Sequence, residues 1–248
     1  MRRTSLAAGL LALCLGAAAL AAKPVAIIAE TSRSAAGAEA LALADFGLKD
    51  ALVAFEVKPS LSPAGFKKYA AVVIPTLDRD AKPWSDEEVK SALAYVREGG
   101  VIVFIGNGAS RVAGAGRDLK RIEPLTGCLA TADAKGEGKI LAKDHPIFAG
   151  FDAGEGKWAE MSGAFARLTT AQALVGAGEG KDIRALVAVN NAGKGRVFLF
   201  AKESFRMLSV EGSEATRYID LITRAVLTAD PARTPPPKER WIPIPLGK

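Results

Sequence analysis

An α/β domain with a mostly parallel sheet flanked by helices is the fold class this sequence predicts, and three observations carry it. First, apolar runs of strand length recur at VAIIAE (25–30), AAVVIPTL (70–77) and VIVFI (101–105). Uninterrupted Val/Ile runs suit strands buried on both faces. Second, segments of helical period stand between these runs, and a β-α-β-α-β order implies parallel strands with helices on both sides. Third, 49% of the 248 residues are apolar. That supplies one sizeable core and leaves little room for two full domains.

The chain opens with Arg2 and Arg3, then an uncharged Leu/Ala stretch from Leu6 to Leu20, closing on Ala21-Ala22 before Lys23-Pro24. A short basic start, an apolar middle and small residues at the end read as a signal peptide over 1–22. The expected location is therefore periplasmic or secreted, with no membrane attachment after cleavage. Cleavage removes Arg2 and Arg3, so only a modest positive balance remains from the formal charge of +6. Lysine and arginine are scattered, and no basic run interleaved with aromatics marks a nucleic-acid partner. With only Cys128 left and a single histidine, His145, neither an internal disulfide nor a Cys/His metal cluster is expected.

After the strand at 25–30, residues Ser34–Leu52 predict a helix whose stripe is Leu41, Ala44, Leu48 and Leu52. Val53–Val57 and Ala70–Leu77 predict the second and third strands, the latter closed by Asp78-Arg79-Asp80. Ser85-Asp-Glu-Glu88 is a capping box, with Val89, Ala92, Leu93 and Val96 as the buried face of the following helix and Gly99-Gly100 as its stop. Val101–Ile105 is the fourth strand and Asp118–Pro124 a short helix. In the second half, Lys139–Lys143, Phe165–Thr169 and Ala173–Ala177 predict short strands. Ile183–Val189 and Arg196–Ala201 predict an antiparallel hairpin joined through residues 190–195. Gly212–Thr228 closes the domain as a helix with Ala215, Tyr218, Ile219, Ile222 and Val226 inward. The domain spans 23–229, and 230–248 form a proline-rich tail carrying Trp241 and Ile242, expected to be extended.

Several segments in this order resemble the class I glutamine amidotransferase-like superfamily, in particular its ThuA-like, non-amidotransferase branch. They are AAVVIPTL followed by WSDEEVKSALAYVREGGVIVFIG, then Asp144-His145-Pro146-Ile147 with Gly150, and Gly193-Lys194-Gly195-Arg196-Val197. The resemblance covers roughly residues 24–228 and implies a flavodoxin-like sheet. In catalytic members a cysteine sits on a tight strand-to-helix elbow with a histidine and a carboxylate. Here that bend falls at Ile105–Ala109 and reads Ile-Gly-Asn-Gly-Ala, without Cys or Ser. No glutaminase activity is expected, and no spacing brings His145 to Cys128.

Open α/β sheets place ligands at the carboxyl ends of their strands. Asn107, Ser110 and Arg111 after the fourth strand are therefore candidate binding residues, with Asp78, Glu30 and Glu203 at neighbouring strand ends. No cofactor is expected, because the first strand-to-helix turn, Glu30-Thr31-Ser32-Arg33, lacks the dinucleotide glycines. His145 reads as a loop histidine and Cys128 as a small buried residue. The expected function is an exported, non-catalytic domain binding a small polar or anionic ligand or a protein partner. The alternatives are a ThuA-like hydrolase or sugar-modifying enzyme acting through carboxylates and His145, and an oligomerisation module.

Overall fold

The computed structural model describes residues 23–29, 43–49, 51–75, 77, 81–114, 116–151, 157–178, 183–201 and 213–230. The segments read as signal peptide (1–22) and proline-rich tail (from 231) lie outside them. Nine strands form one sheet in the order β2-β1-β3-β4-β9-β8-β6-β5-β7. The first five run parallel to one another: β2 (Phe55–Lys58), β1 (Val25–Ile28), β3 (Ala71–Ile74), β4 (Val101–Ile105) and β9 (Gly195–Phe200). The other four are antiparallel: β8 (Arg184–Ala192), β6 (Lys157–Leu168), β5 (Cys128–Ile140) and β7 (Gln172–Ala177). β7 pairs with both β5 and β8, so β8, β6, β5 and β7 close a ring.

Each central strand feeds two cores. On one face Val101, Val103 and Ile105 of β4 meet Tyr218, Ile222 and Val226 of the last helix, α4 (Ser213–Leu227). On the other face Ile102 and Phe104 meet Val89, Ala92 and Val96 of α1 (Asp86–Arg97). This period-2 sorting of an all-apolar run is what burial on both sides demands. The capping box forms as expected: the Glu88 amide donates to Ser85 Oγ at 3.2 Å and the Ser85 amide to Glu88 Oε2 at 2.8 Å. At the helix's far end Tyr95, buried, reaches the amino edge of the sheet. Its hydroxyl donates to the Ala70 carbonyl at 2.9 Å, with the Tyr69 and Val101 carbonyls at 3.3 and 3.4 Å. Burial raises its pKa. A Cβ on Gly100 would lie 2.2 Å from the Tyr95 ring, which is why only glycine ends this helix.

Several expectations are corrected. Of the helix over 34–52, residues 34–42 with Leu41 lie outside the described residues; Ala44–Leu48 is a π-helical turn with Ala44 and Leu48 buried, and Leu52 leaves the stripe. It is 81% exposed with φ 55°, a left-handed residue in the turn to β2. β3 stops at Ile74, because Pro75 offers no amide to the ladder. The predicted short strand at 139–143 is the end of the 13-residue β5, and the one at 165–169 the end of the 12-residue β6. The β8–β9 hairpin is tighter than expected: the strand continues through Asn190-Asn191-Ala192 and the turn is Gly193-Lys194, with Gly193 at φ 65°. The antiparallel portion is thus the expected β8–β9 hairpin joined by β6, β5 and β7, of which β5 and β6 are far longer than the short strands predicted there. Among the described residues no helix is long and apolar enough to cross a membrane.

A buried ion pair ties the two portions together. Arg224 of α4 donates from Nε to both Asp220 carboxylate oxygens (3.0 and 2.9 Å) and from Nη1 to the Ala149 carbonyl (2.6 Å) in the β5–β6 connection. Phe151 stacks against its guanidinium at 5.6 Å.

Candidate functional site

The bend after β4 is built from the strand outward. Gly106 takes φ 59°, a conformation favouring glycine, and its amide donates to the Phe200 carbonyl of β9 at 2.8 Å. Gly108 opens the short helix α2 (Gly108–Ala113) against β3; a Cβ there would lie 2.5 Å from the Ile74 carbonyl oxygen and 2.6 Å from that of Pro75. Between them the Asn107 carboxamide is engaged at both ends with Leu77. Its Oδ1 accepts from the Leu77 amide (2.8 Å) and its Nδ2 donates to the Leu77 carbonyl (3.2 Å). Asn107 therefore pins the chain that leaves β3, and its own polar atoms are satisfied.

Ser110 and Arg111 follow on α2, both partly exposed. Arg111 Nε is buried and has no hydrogen-bond partner among the described residues. Glu30, Asp78 and Glu203 lie outside the described residues, as do Arg79, Asp80 and Arg206. Of the six candidate binding residues, the structure thus places Asn107, Ser110 and Arg111 together on the bend and its helix.

The topology reverses between β1 and β3, since the chain passes from β1 to β2 on one side and then to β3 on the other. Such a reversal opens a crevice at the carboxyl ends. A cavity of about 270 Å³ lies there, lined by the last residues of both strands, Ile28 and Ile74, with Leu77 and with Val112 of α2. Ser60, Ser62, Lys82 and Glu88 add polar groups to its lining. Glu88 is already held by the cap and by Ser62 Oγ, 3.4 Å away. Trp84 borders the same space but is 7% exposed, packed edge-on against Phe66 and tilted on Phe104 at 5.7 and 6.1 Å. It covers the core edge. Sequence reasoning put the site at the fourth strand's bend. The cavity sits one strand over, and Asn107 shapes it through Leu77.

Cys128 and His145 do not meet. Cys128 is fully buried in the core beneath α1, its thiol hydrogen-bonded to the Thr126 carbonyl at 3.5 Å. Burial, reinforced by the nearby Glu123 charge, pushes it up to about 12. His145 lies in the β5–β6 connection against the ring of Phe198, which belongs to the opposite core. Its Nδ1 accepts from the Ile147 amide at 3.3 Å, and Gly150 turns the loop at φ 67°. Burial, with the Arg196 charge, holds the imidazole below its ordinary pKa. Among the described residues no three Asp, Glu, His or Cys side chains cluster to hold a metal.

No family model and no curated protein match the chain. Solved structures do. A ThuA-like protein from Bacteroides uniformis superposes with a TM-score of 0.54 at 13% identity, over 88% of this chain and 96% of that one. The chain shares the ThuA-like fold. A β-galactosidase from Bacillus circulans sp. alkalophilus matches with a TM-score of 0.56 at 12% identity, over 83% of this chain. One from the Antarctic haloarchaeon Halorubrum lacusprofundi gives 0.50 at 16%, over 82%. This chain spans 30% of the length of each β-galactosidase, so the ThuA-like fold occurs both as nearly a whole protein and as part of longer ones.

Proposed function

We propose that this chain is an exported, non-catalytic binding domain of ThuA-like fold that takes a small polar or anionic ligand in the crevice at the carboxyl edge of its parallel strands. The observation that carries the reading is the bend after β4. At the place where catalytic members of the resembled superfamily hold their nucleophile stand Gly106 and an Asn107 whose carboxamide is committed to Leu77.

What surrounds the bend suits binding. A buried N–H without an acceptor is costly, and Arg111 Nε is one. An anionic oxygen supplies the missing partner and forms a charge-assisted bond. The neighbouring cavity, lined by Val112 but not by Arg111, has largely aliphatic walls with Ser60, Ser62, Lys82 and the capping Glu88, so it fits a small molecule with a carbon skeleton and a hydroxyl or carboxylate head directed to Lys82. Its volume of about 270 Å³ sets the size at the small end of ligand sites. The export half of the reading rests on the signal-peptide pattern of residues 1–22, and a periplasmic or secreted location follows from it. A hydrolytic or sugar-modifying activity would draw on Glu30, Asp78 or Glu203, which lie outside the described residues.

A second reading, an assembly module, is favoured by one observation: the fold makes up part of much longer chains. One experiment separates the two. The mature protein is titrated with small carboxylates, inorganic phosphate and monosaccharides, following thermal midpoint and heat of binding. Binding predicts a saturable rise in Tm that Arg111→Ala weakens by about tenfold or more, the loss expected for a hydrogen bond to a charged group, and that Lys82→Ala weakens less. No response to any probe, together with a stable oligomer in sedimentation, overturns it in favour of assembly. Cell fractionation tests export, and retention of uncleaved chain in the cytoplasm counts against it.

A further inference from the structure

A second cavity, of about 370 Å³, opens at the opposite, amino edge of the parallel strands. Its apolar wall is Val25 at the start of β1, Val53 before β2, and Val226, Leu227 and Ala229 at the end of α4. Tyr95 also lines it, and its hydroxyl is turned to the Ala70 carbonyl at 2.9 Å, so a backbone acceptor at this edge is already satisfied. A hollow walled in this way favours an apolar occupant over water. Lys23, Lys67, Glu98 and Asp230 add two charges of each sign to its lining, with Lys67 bonded to Glu98 at 3.2 Å.

The chain leaves the described domain at this same place, because Asp230 is itself a lining residue. We propose that the hollow is the docking site of the chain's own carboxyl-terminal segment, Trp241–Leu246. That segment, Trp-Ile-Pro-Ile-Pro-Leu, gathers the large apolar side chains of the tail. A tryptophan buries on the order of 150–250 Å², and alternating prolines fix the backbone so that little entropy is lost on docking. The connecting run 231–240 reaches roughly 30 Å at 3.1 Å per residue when extended, enough to double back onto the wall it starts from.

The test uses the full mature chain carrying fluorinated tryptophan, whose three signals come from Trp84, Trp158 and Trp241 and are assigned with Trp241→Phe. Quenching by a neutral solute measures the access to each ring. Docking predicts a Trp241 shielded at all protein concentrations and opened several-fold by Ala229→Arg, which fills the hollow without removing core packing. Ile244→Asp, which changes only the tail, gives the same opening. In both variants the Trp84 signal stays put, reporting an intact domain. A Trp241 as accessible in the unaltered chain as in Ile244→Asp overturns the proposal. So does shielding that disappears on dilution, which assigns the hollow to a second copy, or shielding that survives Ala229→Arg with Trp84 unchanged.

Discussion

The parallel and antiparallel portions of the sheet solve the same problem with different residues. β1, β3 and β4 are four or five residues long and wholly buried, each sandwiched between α1 and α4 or their neighbours. β5 and β6 are three times as long, rich in Ala, Gly and Lys, and are secured by closing with β7 and β8. In the first portion side-chain volume carries the stability, and backbones approach each other closely at the crossovers. In the second, β5 and β6 pair chiefly with each other and meet β7 and β8, respectively, at two positions each. The crevice at the carboxyl ends belongs to the first, where the strand order reverses between β1 and β3.

The largest expected effect breaks the seam between them. Arg224→Met leaves Asp220 buried without its cation and frees the Ala149 carbonyl, and should cost about 3–5 kcal/mol in urea unfolding. Adding Asp220→Leu should restore most of that loss. If instead the single variant unfolds in two separate steps, the portions are independent units and the comparison sharpens into one of two subdomains. Next comes close approach in the parallel portion. Gly108→Ala drives a methyl into two β3-end carbonyls and should cost about 1–3 kcal/mol. Its counterpart in the antiparallel portion, Gly150→Ala, meets nothing within 4 Å and carries only the left-handed penalty at φ 67°, about 1 kcal/mol. Equal losses at the two sites would erase the distinction drawn above.

The smallest effect is a pH dependence. Burial holds folded His145 below its ordinary 6.5, so the unfolded chain takes up the proton first as pH falls. The stability it allows is present above about 6.5 and lost as pH falls toward the folded value. Asp220 acts in a lower window and the opposite sense: burial raises it above 3.8, so its share is lost as pH rises through that region. Thermal midpoints at pH 7.5 and 5.5 should therefore diverge more for the unaltered protein than for His145→Gln. Equal divergence would show that the loop imidazole is not the responsible group.

The same contrast explains what could be read from residues alone. β4, the capping box and the α4 stripe were legible because each is a short pattern with one physical meaning. Most of β5 was not, because CLATADAKGEGKI has neither β-branched enrichment nor clean alternation, and its β6 partners lie 18 to 40 residues away. Asn190-Asn191 looked like turn residues, yet Asn190 is buried and its carboxamide donates to the Leu125 carbonyl at 2.9 Å, a bond no local pattern announces. The bend at Gly106–Gly108 was legible. The cavity beside it was not, since Ser60 and Lys82 come from two separate connections and Val112 from α2.

Ring closure also bears on how copies of this molecule can stack. β2 ends the sheet and, among the described strands, pairs on one side only, with Glu56 and Lys58 bridged along it at 2.7 Å. Fibrous growth through a sheet requires two open borders on every copy, one to receive and one to offer. Here β7 is paired on both sides, with β5 and β8, but β6 meets β8 only at Ala166 and Arg167, so among the described residues the β5–β6 ribbon keeps an unpaired border of its own.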